Sequence, residues 1–128
     1  MKLEPKAAEG EYYFAMVAED DLMALTGILE SVVCIFRESE GLTIVFSEDA
    51  KEEVAELTGK EIMGPFALIT MTAQTELNAI GILAKITDAL AKEKIAVNAF
   101  SAYYHDHILV PYGKKERATA ILESLSVQ

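Results

Sequence analysis

Residues 66–125 read FALITMTAQTELNAIGILAKITDALAKEKIAVNAFSAYYHDHILVPYGKKERATAILESL. The stretch opens with an apolar run, Phe66 to Met71, rich in side chains that suit a half-buried strand, and it breaks at the polar turn Gln74-Thr75-Glu76. A helical period follows. Ala79, Leu83, Ile86 and Leu90 fall four, three and four apart, which stacks them on one face of a helix expected over about residues 78–92. Thr75 or Asn78 can cap that helix, because a side-chain oxygen there accepts from first-turn N–H groups that have no intrahelical partner. Residues 95–104 and 107–111 return to strand texture, joined by a turn at Tyr104-His105-Asp106 that is short enough for a hairpin. Lys114 to Leu125 then carries Ala118, Ile121, Leu122 and Leu125 at helical spacing. Strand, helix, strand, strand, helix is the order of a ferredoxin-like half-sandwich, an α+β fold with an antiparallel sheet and its helices on one face.

Upstream the texture is similar but thinner. Met1 to Gly10 shows no period and is expected to be a loosely held arm. Glu11 to Ala18 suits a strand, Glu19-Asp20-Asp21 breaks it, and Leu22 to Glu30 has room for at most two turns of helix. Val32 to Arg37 and Leu42 to Phe46 read as strands joined around Glu40-Gly41, where glycine supplies the left-handed conformation of a tight turn. Ser47 is a candidate N-cap, with Glu48, Asp49, Glu52 and Glu53 where a helix dipole favours acids, and that helix should end near Thr58-Gly59. Lys60 to Pro65 forms the connection.

The two halves align with one another. A shift of 64 positions lays Phe36 on Phe100, Ile44 on Ile108, Val45 on Leu109, Lys51 on Lys115 and Glu52 on Glu116. A shift of 54 lays Gly27-Ile28-Leu29 on Gly81-Ile82-Leu83, so the first copy has lost most of one helix. Two βαββαβ-type repeats are expected, a degenerate one over residues 1–64 with a truncated first helix and a complete one over residues 65–128. Neither shows a final strand of its own. Either Phe66 to Met71 serves both copies or a second subunit closes the edge.

The phrases EYYFAMV (11–17), FRESEGLTIVF (36–46), ALITMTAQTEL (67–77) and SAYYHDHILVP (101–111), with the glycine opening the helix at Asn78-Ala79-Ile80-Gly81-Ile82-Leu83, resemble the successive blocks of small tandem ACT-domain proteins. The resemblance covers residues 11–125 and implies a ferredoxin-like ACT fold and an amino-acid-binding regulatory role. In such domains the turn after the first strand and the opening of the first helix present backbone groups to the ligand, and a neighbouring repeat's strand completes the pocket. Carried onto this chain, that implies Thr75, Glu76, Leu77, Asn78, Ala79, Ile80, Gly81 and Ile82 as ligand-binding residues, with Asn98 and Ser101 as polar contacts from the following strand. A helix cap at Asn78, a packing role for Gly81 and a small residue in a crowded sheet at Ser101 are the structural alternatives.

Composition narrows the partners. The chain has 128 residues, one cysteine and a formal charge of −10, so an intrachain disulfide is impossible and a phosphate backbone would be repelled. The charge is uneven: residues 1–64 hold 5 Lys/Arg against 15 Asp/Glu, residues 65–128 hold 6 against 6. The acidic half is either a solubilising surface or a dock for a basic partner or cationic ligand. With no signal-peptide core and no membrane-length apolar run, a cytoplasmic protein without nucleic-acid or membrane partners is expected.

Catalytic signatures are sparse. No phosphate loop, nucleophile elbow, cysteine pair or metal-spaced acid cluster occurs. His105 and His107 lie two apart, on one face of a strand, but lack the third ligand that zinc needs; Asp106 is expected to fold onto the turn backbone and His107 to pack or hydrogen-bond near the hairpin. Cys34, inside Val32-Val33-Cys34-Ile35-Phe36, is expected to be a buried, inert thiol. The reading is therefore a protein that is not an enzyme and needs no cofactor: an amino-acid sensor acting in trans on a partner enzyme or regulator, or an assembly module that has kept the fold and lost the ligand. Exposed sheet edges favour a homodimer. The acids Glu19, Asp20 and Asp21 favour a basic ligand, arginine or lysine.

Overall fold

A computed structural model describes residues 2–73 and 79–126 of the chain. In order these form β1 (Pro5–Ala7), β2 (Tyr12–Val17), a 3₁₀ helix (Glu19–Ser31), β3 (Val32–Glu38), β4 (Gly41–Ser47), a 3₁₀ turn (Glu48–Ala50) running into α1 (Lys51–Leu57), β5 (Met63–Met71), α2 (Ile82–Lys92), β6 (Asn98–Ser101), β7 (Asp106–Pro111), and a 3₁₀ turn (Tyr112–Lys114) running into α3 (Lys115–Ser126). Two compact units result, Gly10–Pro65 on the one hand and Met1–Glu9 with Phe66–Gln128 on the other.

In the Gly10–Pro65 unit the strands lie in the order β3-β4-β2, all antiparallel. Strand period two sends Tyr13, Ala15 and Val17 to one face, opposite Phe46, Ile44 and Leu42, and those six side chains pack with Leu25, Ala50 and Val54 as a core. The Tyr13 and Phe46 rings stack with centroids 5.9 Å apart. Where two turns of α-helix were the most expected, the chain forms a longer and tighter element, the 3₁₀ helix Glu19–Ser31, interrupted at Ile28 with φ −127° and ψ 16°. Leu22, Leu25 and Ile28 fall three apart, the period of a 3₁₀ helix, but only Leu25 is fully buried. Ser47 does precede the next helical turn, without a side-chain capping bond.

In the second unit the sheet order is β1-β5-β7-β6. Ala67, Ile69 and Met71 from β5 and Ile108 and Val110 from β7 face Ile86 and Leu90 of α2 and Ala118 and Leu122 of α3. The amphipathic periods of both helices are thereby satisfied. The N-terminal arm is not loose. Pro5, Lys6 and Ala7 pair with Met71, Thr70 and Ile69, Leu3 is 2% exposed within this core, and the Ala73 N–H donates to the Leu3 carbonyl at 3.0 Å. A three-residue strand cannot display a period, so only long-range pairing reveals it. It also supplies the missing fourth strand of this sheet.

β5 contributes to both units, Met63–Pro65 to the first and the rest to the second. Gly64 has φ +147°, and a Cβ there would stand 2.6 Å from Tyr13 Cδ1 and 2.9 Å from the Tyr12 carbonyl oxygen. Backbone this close to a strand leaves room only for glycine.

The internal repeat holds at the level of register. Phe36 opposes Thr43 as Phe100 opposes His107, Ile35 opposes Ile44 as Ala99 opposes Ile108, and Cys34 opposes Val45 as Asn98 opposes Leu109. Lys51 and Lys115 each open the second helix of their copy. The shorter alignment does not extend to conformation: Gly81 has φ +85°, whereas Gly27 lies within the 3₁₀ helix.

Candidate functional site

The expected helix start moves. α2 begins at Ile82, with Gly81 as its N-cap at φ +85° and ψ −3°, and Ala79 and Ile80 lie ahead of it. A residue in the left-handed region cannot sit within a right-handed helix, so the apolar period that suggested a start near residue 78 overran the glycine. Ala79 is exposed instead of sharing the buried face of Ile86 and Leu90. Its N-cap residue, Gly81, has no side chain with which to cap this end. The Lys85 N–H reaches the Gly81 carbonyl at 3.1 Å, which leaves the Ile82, Leu83 and Ala84 N–H groups without an intrahelical acceptor. Gly81 is exposed, and a Cβ on it would meet nothing within 4 Å. Ile80 beside it is 96% exposed. Thr75, Glu76, Leu77 and Asn78, with the caps and the turn expected there, lie outside the described residues.

Asn98 and Ser101 are three apart on β6 and face opposite ways. Asn98 is exposed opposite Leu109, on the face away from the helices, while Ser101 opposes Asp106 and its hydroxyl donates to the Asp106 carboxylate at 2.6 Å. Asp106 thus braces the base of the hairpin through Ser101, not through the turn backbone. The turn itself is closed by the Ala102 N–H donating to the His105 carbonyl at 2.9 Å, two residues earlier than the sequence suggested.

His107 lies opposite Thr70 across β5 and β7, and its Nδ1 is 2.8 Å from the Thr70 hydroxyl. Its ring stacks on Phe100 at 5.5 Å. Burial lowers its pKa from the ordinary 6.5, the neighbouring His105 lowers it further, and Asp106 opposes both. The His105 ring stands 6.3 Å from that of His107, and His105 Nδ1 is buried without a partner among the described residues. Sequence reasoning missed Thr70; its partnership with His107 requires the β5–β7 register, which no local pattern encodes. A half-buried Cys34 has its thiol pushed up by burial, which keeps it protonated and weakly nucleophilic. Among the described residues no three His, Cys, Asp or Glu side chains are grouped to hold a metal ion, and no helix is long and apolar enough to cross a membrane.

A groove of about 420 Å³ runs between α2 and α3, floored by Ala89, Ile121 and Leu125 and rimmed by Lys85, Asp88 and Lys92. None of the described residues expected to bind a ligand lines it.

A ferredoxin-like α+β architecture in two copies, antiparallel sheets with helices on one face, defines a tandem regulatory-type module. ACT-domain profiles match residues 1–59 and 64–124, and the chain belongs to the ACT-domain family. It is similar to the crystal structure of a Vibrio cholerae protein of unknown function, described as a possible transport protein, with 33% identity over 95% of this chain and 88% of that one and a TM-score of 0.78. Its fold is also that of the regulatory subunit of aspartate kinase from Thermus flavus, at 11% identity, 97% and 98% coverage and a TM-score of 0.73. Escherichia coli aspartokinase III in complex with aspartate and ADP matches over 97% of this chain and 33% of that one, at 16% identity and a TM-score of 0.68. No curated protein sequence matches the chain.

Proposed function

We propose that this ACT protein is a non-catalytic amino-acid sensor acting in trans on a partner enzyme or regulator in the cytoplasm, with residues 1–64 and 65–128 as its two repeats. What supports this most is the start of α2 behind Gly81: three N–H groups without an intrahelical acceptor, the positive end of an eleven-residue helix and, among the described residues, open space in front of Gly81 suit the carboxylate of a free amino acid. Residues 75–82 form the binding turn on this reading, with Asn98 and Ser101 as further polar contacts. Because Ser101 already donates to Asp106, its hydroxyl can offer the ligand only acceptor capacity. A basic amino acid, arginine or lysine, suits the acidic first half. The protein works as a homodimer, joined through its electrically neutral half, where two copies meet without like-charge repulsion; light scattering that returns the mass of a single chain at all micromolar concentrations speaks against this.

A second reading, an assembly module without a ligand, is favoured by the first repeat, whose broken 3₁₀ helix leaves Met23 and Leu29 exposed. A thermal-shift screen with the proteinogenic amino acids separates the two. A ligand at a hundred times its dissociation constant stabilises by about 2.7 kcal/mol, and Gly81→Val, whose side chain would project into the open space and strain a left-handed turn, should abolish the shift while leaving the circular-dichroism spectrum folded. No response to any amino acid gives the assembly reading, and an unchanged response in Gly81→Val puts the ligand elsewhere.

A further inference from the structure

Six of the ten large apolar side chains exposed among the described residues fall between residues 22 and 36: Leu22, Met23, Leu29, Val33, Ile35 and Phe36. They sit on the 3₁₀ helix and on β3, the outermost strand of its sheet, which among the described residues is paired only with β4. Ile35 opposes Ile44 and so lies on the helix side, where the 3₁₀ helix leaves it 37% exposed; Phe36 opposes Thr43 on the other side and is 67% exposed. The strand therefore presents a free backbone ladder with an apolar side chain above and below it. A register shift between Val32 and Cys34 confines that ladder to Cys34–Glu38. The equivalent strand of the second copy is unlike it: Asn98, Ala99 and Ser101 are its exposed residues.

The rim of this surface is acidic. Residues 19–41 hold six Asp/Glu and a single basic residue, Arg37, which is already ion-paired with Glu19. Glu30, Glu38 and Glu40 are exposed around the strand. An apolar edge strand of this kind pairs readily with another strand, and the charge decides which. A second copy would bring like charges together; an extended segment carrying lysine or arginine would neutralise them. We propose that β3 is a docking edge for a basic, extended segment of a partner protein, which adds as a strand beside Cys34–Glu38 and lays its apolar side chains against Ile35 and Phe36. This goes beyond the amino-acid-binding reading and does not depend on it.

The test uses the isotope-labelled full chain and a short capped peptide alternating lysine and valine, with a glutamate–valine peptide of the same length beside it. The lysine peptide should slow amide exchange across Cys34–Glu38 and weaken steeply with salt. Phe36→Lys, and separately Glu30→Lys with Glu40→Lys, should each reduce its affinity about tenfold or more without changing the circular-dichroism spectrum, since all three positions are exposed. Equal protection by the glutamate peptide, protection confined to other strands, or full affinity in both variants would overturn the proposal. So would a dimer of the free chain that Phe36→Lys dissociates, because the edge would then belong to a second copy.

Discussion

The backbone N–H of Leu3 donates to the hydroxyl oxygen of Ser126 at 2.7 Å, joining the N-terminal arm to the last residue of α3. Leu3 fills the core beneath it, in contact with the cluster of Ile86, Leu90, Ala118 and Leu122. Leu3→Ala should therefore cost about 2–5 kcal/mol, the range for emptying a buried leucine site, and Ser126→Ala about 1 kcal/mol. Urea denaturation of the full chain measures both. If removing the arm left the midpoint in place, its strand would be decoration instead of structure.

Gly64 carries a different kind of constraint. Alanine there meets a positive φ of +147° and a Cβ contact of 2.6 Å with Tyr13, so Gly64→Ala should destabilise by about 1–3 kcal/mol or more. Gly59 has neither a close neighbour nor a positive φ, and Gly59→Ala should stay within about 0.5 kcal/mol of the parent. Equal midpoints for the two variants would refute the account.

His107 gives the protein a pH dependence with a definite sign. Its folded pKa lies below the unfolded 6.5, so the unfolded chain takes up the proton more readily, and stability falls as pH drops from 6.5 through the folded value. Above 6.5 the contribution is complete. Thermal midpoints should decline over that acid window, and less so in His107→Gln, which keeps a partner for Thr70 without titrating. An identical profile in the variant would assign the dependence to other groups.

Tyr13 acts at the opposite end of the scale. Its O–H donates to the Glu11 carboxylate at 2.6 Å, and that bond, helped by burial and by the charges of Glu11 and Glu48, pushes its pKa up to about 12. Stability linked to Tyr13 is complete below the ordinary 10.0 and is lost as pH rises through about 12. In an ultraviolet titration Tyr13 should ionise after the other tyrosines, and Glu11→Gln should bring it forward. No change in the variant would mean that Glu11 is not the cause.

Much of this fold is written locally. Alternation in Tyr12–Val17 and Gly41–Ser47, the glycine at the β3–β4 turn and the helical spacing of Ile86, Leu90, Ala118 and Leu122 each depend on neighbours within one or two turns of chain, and the structure places those elements where the spacing does. The 64-residue self-alignment also carried real information, since it reproduces cross-strand partners residue for residue. Around the candidate site the sequence located the glycine but not the helix start. An apolar period cannot register a backbone dihedral, and Gly81 ends the pattern through its φ of +85° alone.

What the sequence determined by itself, then, is the order of strands β2 to β7 with α1, α2 and α3 among them and the family they compose, because those rest on side-chain periods and on short motifs. Tertiary structure alone decided that residues 3–7 complete the sheet of the opposite copy, that Thr70 is the partner of His107, and that Ile35 and Phe36 stay uncovered on an edge. Each of those depends on register between segments far apart in the chain, and the free energy that fixes such register comes from burial against distant residues, which leaves no mark on the spacing of nearby ones.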